Sequence, residues 1–422
     1  MVAGTIIGAS IFVQPSEIAR HLDTPFAIMT AWVACGVLTL FGAFVCAELA
    51  SAFPQTGGMY VFLRETFSPL AGFLWGWAMF WSVHSGIIAA IAVVFGRYAS
   101  VLLPPEMQTD VNVRVLAVAV ILALSAINYI GVKSGSRVQT ALTIVKVGAI
   151  FALVVAGFLF ATPVAQPQAP PAPGTGVSPF VLAMVAGLFA YGGWHMVTYT
   201  AGETTMPAKT VPMALVVGVG IVTACYVLVN LVYLRLLPLE AVRASTRIAA
   251  DAANVVLGRG GEVMLGVLVI LSTVGSLTGI ILTGPRMYFS MAGDGLAPRA
   301  LTHVHPRFRT PSVAIVSQAI WASVLAGTGA YRQLFTRVVY TEWLFFAVMA
   351  AGLFVLRRRS DYKPPYRTWG YPIVPIVFIV ASLGIVFHQF VIDPSEAAFG
   401  LGLVALGMPV YYYLRHANRR LS

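Results

Sequence analysis

The chain has 422 residues, of which 59% are hydrophobic and 10% charged, with a formal net charge of +11. Its mean hydropathy is +0.85. Soluble domains carry about 25% charged residues, so a water-soluble globule of this size is excluded: it lacks the charge to cover its surface.

In chain order, twelve apolar runs stand at approximately residues 1–19, 25–52, 67–98, 112–132, 139–161, 178–202, 212–237, 260–290, 312–328, 334–357, 372–392 and 397–415. A helix of about 18 or more apolar residues crosses the hydrocarbon of a bilayer. Lipid leaves no partner for unpaired peptide groups, so helices or a closed barrel are the two solutions. Alternating strand-length segments are absent, and the expectation is an all-α integral membrane protein of about twelve transmembrane helices, with the lipid bilayer as its partner.

The first run is interrupted by Gly4 and Gly8, and the sixth by Gly187 and then Ala190-Tyr191-Gly192-Gly193-Trp194. Between the fifth and sixth runs, Thr162 to Ser178 is rich in Pro and Ala and free of charge, which predicts an extended, solvated external connection. Five is an odd number, so a second five-helix unit enters the membrane from the opposite face. The expected organisation is a first repeat over 1–161, an inverted repeat over 178–357 and two additional helices over 372–415. Glycine-broken helices at matching positions of inverted halves point to a binding site at the membrane midplane. Close helix packing is the alternative reading of the same glycines.

Charge placement gives orientation and names outliers. With the N-terminus inside, sixteen basic residues fall on the cytoplasmic side, Arg64, Lys133, Arg286, Arg357-Arg358-Arg359 and Arg420 among them, and nine outside. This is the positive-inside bias, and no nucleic-acid partner is needed to explain the net charge. Arg357-Arg358-Arg359 reads as a topological anchor. Lys146 lies inside the fifth run, about 10 Å by helical rise beyond its start. A charge at that depth costs at least about 2.5–3.5 kcal/mol, so it needs a partner or must snorkel to the interface. His84 and His388 read as packing residues. Glu342, placed near the outer end of the tenth run, is either buried or facing external water. Glu48 and Glu203, near cytoplasmic helix ends, are expected to pair with basic loop residues or helix termini.

Cys35, Cys46 and Cys225 fall within spans and make neither a metal spacing nor a disulfide framework. No GxxxxGK[ST] loop, HExxH helix or paired-carboxylate constellation is present, so neither an enzyme nor any cofactor or metal is expected. The N-terminus lacks a basic n-region and a cleavage site; it starts so close to Gly4 that a cytoplasmic leader or first helical turn is expected to be missing.

The glycine run Gly4 to Phe12 (GTIIGASIF) resembles the first-helix signature of the amino acid–polyamine–organocation superfamily. So do Glu48 and the stretch Pro54-Gln55-Thr56-Gly57-Gly58-Met59-Tyr60. Phe189 to Trp194 (FAYGGW), Glu203 and the Pro207…Pro212 spacing resemble the sixth helix and exit loop of its L-type amino-acid transporter branch. Gly275-Ser276, Arg286-Met287-Tyr288-Phe289, Asp294-Gly295, Pro298, His305-Pro306 and Thr310-Pro311 resemble the helix 8–9 region.

This ordered resemblance, across roughly residues 4 to 360, implies a LeuT-like fold with a 5+5 inverted repeat and broken helices 1 and 6. It implies an amino acid moved by alternating access across a bacterial inner membrane, by proton-linked uptake or amino-acid exchange. Carried onto this chain, it places the substrate carboxylate at the amides of Ala9 and Ser10, beside Gly8. It places the substrate ammonium at the carbonyls of Ile6, Phe189 and Gly192. It makes Phe189 the gating aromatic. It also sets Lys146 where sodium-independent relatives keep a lysine, bridging helix 1 carbonyls and the hydroxyl of Ser276. Where relatives have Gly-Ser-Gly this chain has Gly8-Ala9-Ser10, so the Ser10 side chain either adds a hydrogen bond or narrows the pocket. His195 is expected to line the side-chain end of the pocket.

Physical chemistry supports a peptide-lined site independently. A zwitterion in a low-dielectric cavity needs both charges matched, and broken helix ends offer free N–H and C=O groups without a buried ion pair. Cationic cargo would favour acidic pocket residues, and helices 1 and 6 show none near their breaks, so neutral amino acids lead. The alternatives are a polyamine or cationic amino-acid carrier, a channel, and a non-transporting membrane sensor.

Overall fold

A computed structural model describes residues 2–8, 10–131, 135–159, 176–328 and 331–419. All regular secondary structure among them is helical. The expected external connection, Thr162 to Ser178, lies almost wholly outside the described residues, as do Ala9, Lys133 and Arg420.

The first span is split into α1 (Val2–Ile6), a 3-10 turn (Ser10–Phe12) and α2 (Gln14–Ala19). The second is α3 (Pro25–Ala52), started by Thr24, whose hydroxyl accepts from the Ala27 amide, with proline at the first helical position. After α4 (Met59–Thr66), the third span combines α5 (Pro69–Ala78), a π-helical turn (Met79–Val83) and α6 (His84–Ser100). Spans four and five are α7 (Asp110–Ile130) and α8 (Gly135–Leu159). The sixth is α9 (Val177–Ala190), followed by a 3-10 segment (Trp194–Glu203). The seventh is α10 (Pro207–Leu236). Short helices α11 (Leu239–Ala244) and α12 (Ile248–Leu257) lead to the eighth, α13 (Arg259–Gly293). The remainder are α14 (Ser312–Thr328), α15 (Tyr331–Leu356), α16 (Ile373–Ile392), α17 (Pro394–Ala405) and α18 (Gly407–Arg419).

Ten helices among the described residues are long and apolar enough to cross a membrane, and α14 is an eleventh, shorter apolar helix. Large apolar side chains face outward: Phe387 is 69%, Val380 65% and Phe151 64% exposed. Polar groups such as Lys146, His195, Glu342 and Ser276 are buried instead. That inversion is what lipid as solvent demands. At the centre, α3 packs along α10, α6 along α7 and α13, and the short α1 sits against α10, α13 and α8.

Both glycine-interrupted spans are broken. Helical backbone stops at Ile6 and resumes as a 3-10 turn at Ser10. In the sixth span it stops at Ala190, turns through 191–193 with Gly193 at φ +89°, and continues as 3-10 helix. Gly187, grouped with that break from the sequence, lies inside α9 and serves packing. A Cβ there would stand 2.7 Å from Cys35 Sγ on α3.

The bundle is tied at both membrane faces. On the outer side Arg243 of α11 donates to the carbonyls of Ala19 and Leu22, and Arg20 donates to the Arg243 carbonyl. On the cytoplasmic side Arg64 and Tyr60 both engage the Asp294 carboxylate. Burial, then that carboxylate, hold the Tyr60 phenol above its ordinary range. Arg286 of α13 forks onto Glu203 at 2.7 and 3.2 Å.

The arginine cluster after α15 does more than orient the chain. Arg357 forks onto Glu48 of α3 at 2.9 and 2.6 Å, and Glu48 also accepts from the Thr368 amide. Arg359 donates to the carbonyls of Glu65 and Thr66. Glu48 has no exposed side-chain surface, so Arg357→Leu strands a buried carboxylate. The expected cost is about 3–5 kcal/mol, read as a lowered unfolding temperature of the purified protein. The double variant E48L/R357L is expected to recover much of it, and a single variant as stable as the parent would contradict this.

Candidate functional site

The breaks matter because a helix that stops inside the membrane leaves peptide groups without helical partners. Around them the structure builds two adjoining features: a cluster of oxygen atoms about one ammonium, and a small cavity.

The ammonium belongs to Lys146 of α8, whose residue is 2% exposed. Its Nζ donates to the Gly4 carbonyl at 3.1 Å, the Ile7 carbonyl at 3.0 Å and Ser276 Oγ at 3.0 Å. An ammonium has three donors, and all three are used. Ser276, on α13, accepts from the lysine while its own hydroxyl lies 3.1 Å from both the Ile7 and Ser272 carbonyls. The side chain therefore does not snorkel; it joins α8, α13 and the end of α1. Small residues make room for this approach. A Cβ on Gly8 would stand 3.1 Å from Ser276 Oγ, and one on Gly275 would stand 3.3 Å from Lys146 Nζ.

The cavity lies beside this cluster. Its wall includes Thr5, Ile6 and Ser10 of the first span, Phe189, Gly192 and Gly193 of the sixth, Ile280 of α13, and Val338 and Glu342 of α15. The structure thus brings Ile6, Ser10, Phe189 and Gly192 to one space. Gly8 is placed against Ser276 instead, and Ala9 lies outside the described residues. Two of the named carbonyls already accept hydrogen bonds within the protein. Ile6 O accepts from Tyr226 Oη at 3.0 Å and Phe189 O accepts from the Gly192 amide at 3.0 Å. A carbonyl has two lone pairs, so Ile6 O, with Tyr226 on one of them, has room for a second donor.

Three residues depart from their expected positions. His195 is absent from the cavity wall; it sits wholly buried behind Glu342, with Nδ1 3.6 Å from Glu342 Oε1. Glu342 itself is neither at the outer end of its helix nor facing water. It lies within α15 and is 3% exposed. His84 is not mere packing, because its Nε2 lies 2.9 Å from the Ile280 carbonyl.

Sequence reasoning missed Tyr226. Its hydroxyl reaches the carbonyls of Ile6 and Ala190, the last residues of α1 and α9, at 3.0 and 3.2 Å. One group on α10 thus holds both broken ends. A lone tyrosine in an apolar helix gives no signal of that role before the fold is known.

A wider vestibule opens toward the cytoplasmic side, lined by Thr56, Asn128, Glu203, Arg286, Ser290 and Phe308 among others. It is larger than the central cavity and is lined by none of the residues of the two breaks.

The chain matches the family model described as amino acid permease over residues 1–406. It is 31% identical over 421 residues to the serine/threonine exchanger SteT of Bacillus subtilis (strain 168), covering 98% of this chain and 94% of that protein. It is 29% identical over 422 residues to the cystine/glutamate transporter of Homo sapiens, covering 98% and 83%. It is 28% identical over 426 residues to the b(0,+)-type amino acid transporter 1 of Mus musculus, covering 98% and 85%. Matched along nearly its whole length, and with ten helices among the described residues long and apolar enough to cross a membrane, the chain belongs to the amino acid permease family: a multi-pass membrane transporter of amino acids, not an enzyme, with an all-α LeuT-like fold.

Proposed function

We propose that this permease is a sodium-independent carrier that exchanges small neutral amino acids by alternating access. The observation that carries the reading is the Lys146 ammonium fixed among the Gly4 and Ile7 carbonyls and Ser276 Oγ. A resident positive charge on those oxygens does permanently what a bound sodium ion would do transiently, so no sodium gradient is needed to order the first helix break.

In this reading the substrate carboxylate meets the amides of Ala9 and Ser10 at the start of the 3-10 turn. Its ammonium meets carbonyls at the ends of α1 and α9, Ile6, Phe189 and Gly192 among them. Phe189 closes over it. The breaks at the first and sixth spans correspond in two inverted repeats, 1–161 and 178–357, with 372–415 standing outside them. The confined cavity wall supports small cargo, and the likeness to the serine/threonine exchanger of Bacillus subtilis supports exchange.

One observation favours a second reading. Glu342 puts a carboxyl in the cavity wall, as a cationic amino acid or polyamine would require. His195 directly behind it weakens that case by offering the carboxylate a counter-charge within the protein.

Proteoliposomes loaded with unlabelled L-serine and given a radiolabelled panel of neutral, cationic and acidic amino acids and putrescine test these readings. Neutral amino acids are expected to exchange, and replacing sodium by choline is expected to leave the rate within about twofold, less than ~0.5 kcal/mol on the tenfold-per-1.4 kcal/mol scale. Collapse of uptake without sodium would refute the reading, and a preference for lysine or putrescine would favour the alternative.

Two variants examine the site itself. Lys146→Met leaves three convergent oxygens without their donor, and transport is expected to fall at least about tenfold, some 1.4 kcal/mol. Gly192→Leu fills the cavity and is expected to abolish binding, while both proteins still insert and elute as monodisperse species. Unchanged affinity in Gly192→Leu would remove the cavity from consideration.

A further inference from the structure

Glu342 and His195 are the polar groups that the amino-acid site does not use. Their side chains are 4% and 0% exposed, and the Oε1–Nδ1 separation is 3.6 Å, longer than a hydrogen bond. Neither ring nitrogen of His195, nor Glu342 Oε1, has a hydrogen-bond partner. Glu342 forms part of the cavity wall, and His195 stands behind it among the rings of Trp75, Trp194, Tyr199 and Phe346.

Among the described residues, no other ion pair reaches either group. On α6, His84 interacts electrostatically with His195 but has its Nε2 against the Ile280 carbonyl. On the 3-10 segment, Tyr199 is close enough to Glu342 for its phenol to sense the carboxylate, and Tyr288 of α13 lies near Tyr199. At the cytoplasmic end of α15, about 22 Å away by helical rise, Arg357 is committed to Glu48. Lys146 is committed to its own oxygen cluster. Among the described residues, His195 is the ion-pair partner of Glu342.

Charge counting then constrains the pair. With one proton it is neutral, either as carboxylate beside imidazolium or as carboxylic acid beside neutral imidazole. With none it is an anion, and an enclosed net charge costs several kcal/mol unless water reaches it. Water reaches it when the cavity is open to one side and leaves when substrate fills and closes the cavity.

We propose that Glu342 and His195 form a proton-binding site coupled to the amino-acid site. The pair takes one proton from water as the amino acid enters and the cavity closes, and returns it to water when the cavity opens on the other side. No bond other than this O–H or N–H is made or broken. The proposal rests on the carrier reading above.

Calorimetry of L-serine binding to the purified protein, in two buffers of different ionisation enthalpy, counts the protons taken up per serine bound. Uptake approaching one is expected on the alkaline side of the pair's titration, and none in Glu342→Gln. In proteoliposomes the KM for L-serine exchange is expected to rise about tenfold per pH unit on that side, because only the proton-loaded fraction is competent. Glu342→Gln is expected to flatten this profile and His195→Gln to displace it along the pH axis.

A wild type that binds and exchanges serine with constant KM from about pH 5.5 to 8.5, the range a histidine pair should traverse, and with no proton taken up, overturns the proton site and leaves the carrier reading intact. So does a Glu342→Gln protein with an unaltered profile. A wild type that neither binds nor exchanges any amino acid in the panel overturns both.

Discussion

An ammonium held by three oxygens in the middle of a membrane is the constraint around which the rest of this structure is arranged. Lys146 reaches from α8 to the carbonyls of Gly4 and Ile7 and to Ser276 of α13. Insertion of the charge is unfavourable by a few kcal/mol, so the site must return that energy in charge-assisted hydrogen bonds. The break in the first helix serves this, since it leaves the Gly4 and Ile7 carbonyls turned to the ammonium instead of the helical ladder. The lysine and the helix break therefore support each other.

Tyr226 extends the same logic to the sixth span. Its hydroxyl sits between the Ile6 and Ala190 carbonyls, so the two broken ends share a donor as well as a cavity. Recognition can then be divided between two kinds of group. In the proposed reading, peptide groups at the breaks meet what all amino acids have in common, while Glu342 stands at a different part of the wall, with His195 behind it. A carrier built this way needs only a few buried charges, each with a stated counterpart.

Motion needs ties of unequal strength. Exposed ion pairs contribute about 0–1 kcal/mol each, so the Arg286–Glu203 pair, with Glu203 57% exposed, is easily released beside the vestibule. The Arg357–Glu48 pair is different: the carboxylate is wholly buried and also holds the Thr368 amide. It fixes α15 to α3 and, in the proposed reading, belongs to the scaffold against which the broken spans move.

Much of this was legible in the sequence because lipid enforces simple rules. Apolar runs gave the spans, and the charge of Lys146 inside one of them demanded a partner. Glycines gave less, because a glycine records that a side chain is unwelcome without saying why. Gly8 makes room for Ser276, Gly193 allows a left-handed turn, and Gly187 fits against Cys35; the same letter serves three purposes. Glu342 and His195 were misplaced for another reason. Their meeting depends on the rotation of α15 about its own axis and on its depth, which uniform apolarity leaves undetermined. Tyr226 escaped notice because its partners are backbone atoms, which have no signature in a sequence.

The account turns on peptide groups of the two broken helices holding the amino acid. The most direct measurement is a cryo-electron-microscopy map of the protein in nanodiscs with a neutral amino acid bound. It should show the ligand between the first and sixth spans, its carboxylate toward the start of the Ser10–Phe12 turn and its ammonium toward the carbonyls ending α1 and α9. A ligand seated in the vestibule beside Arg286 and Glu203, with the central cavity unfilled, would contradict it.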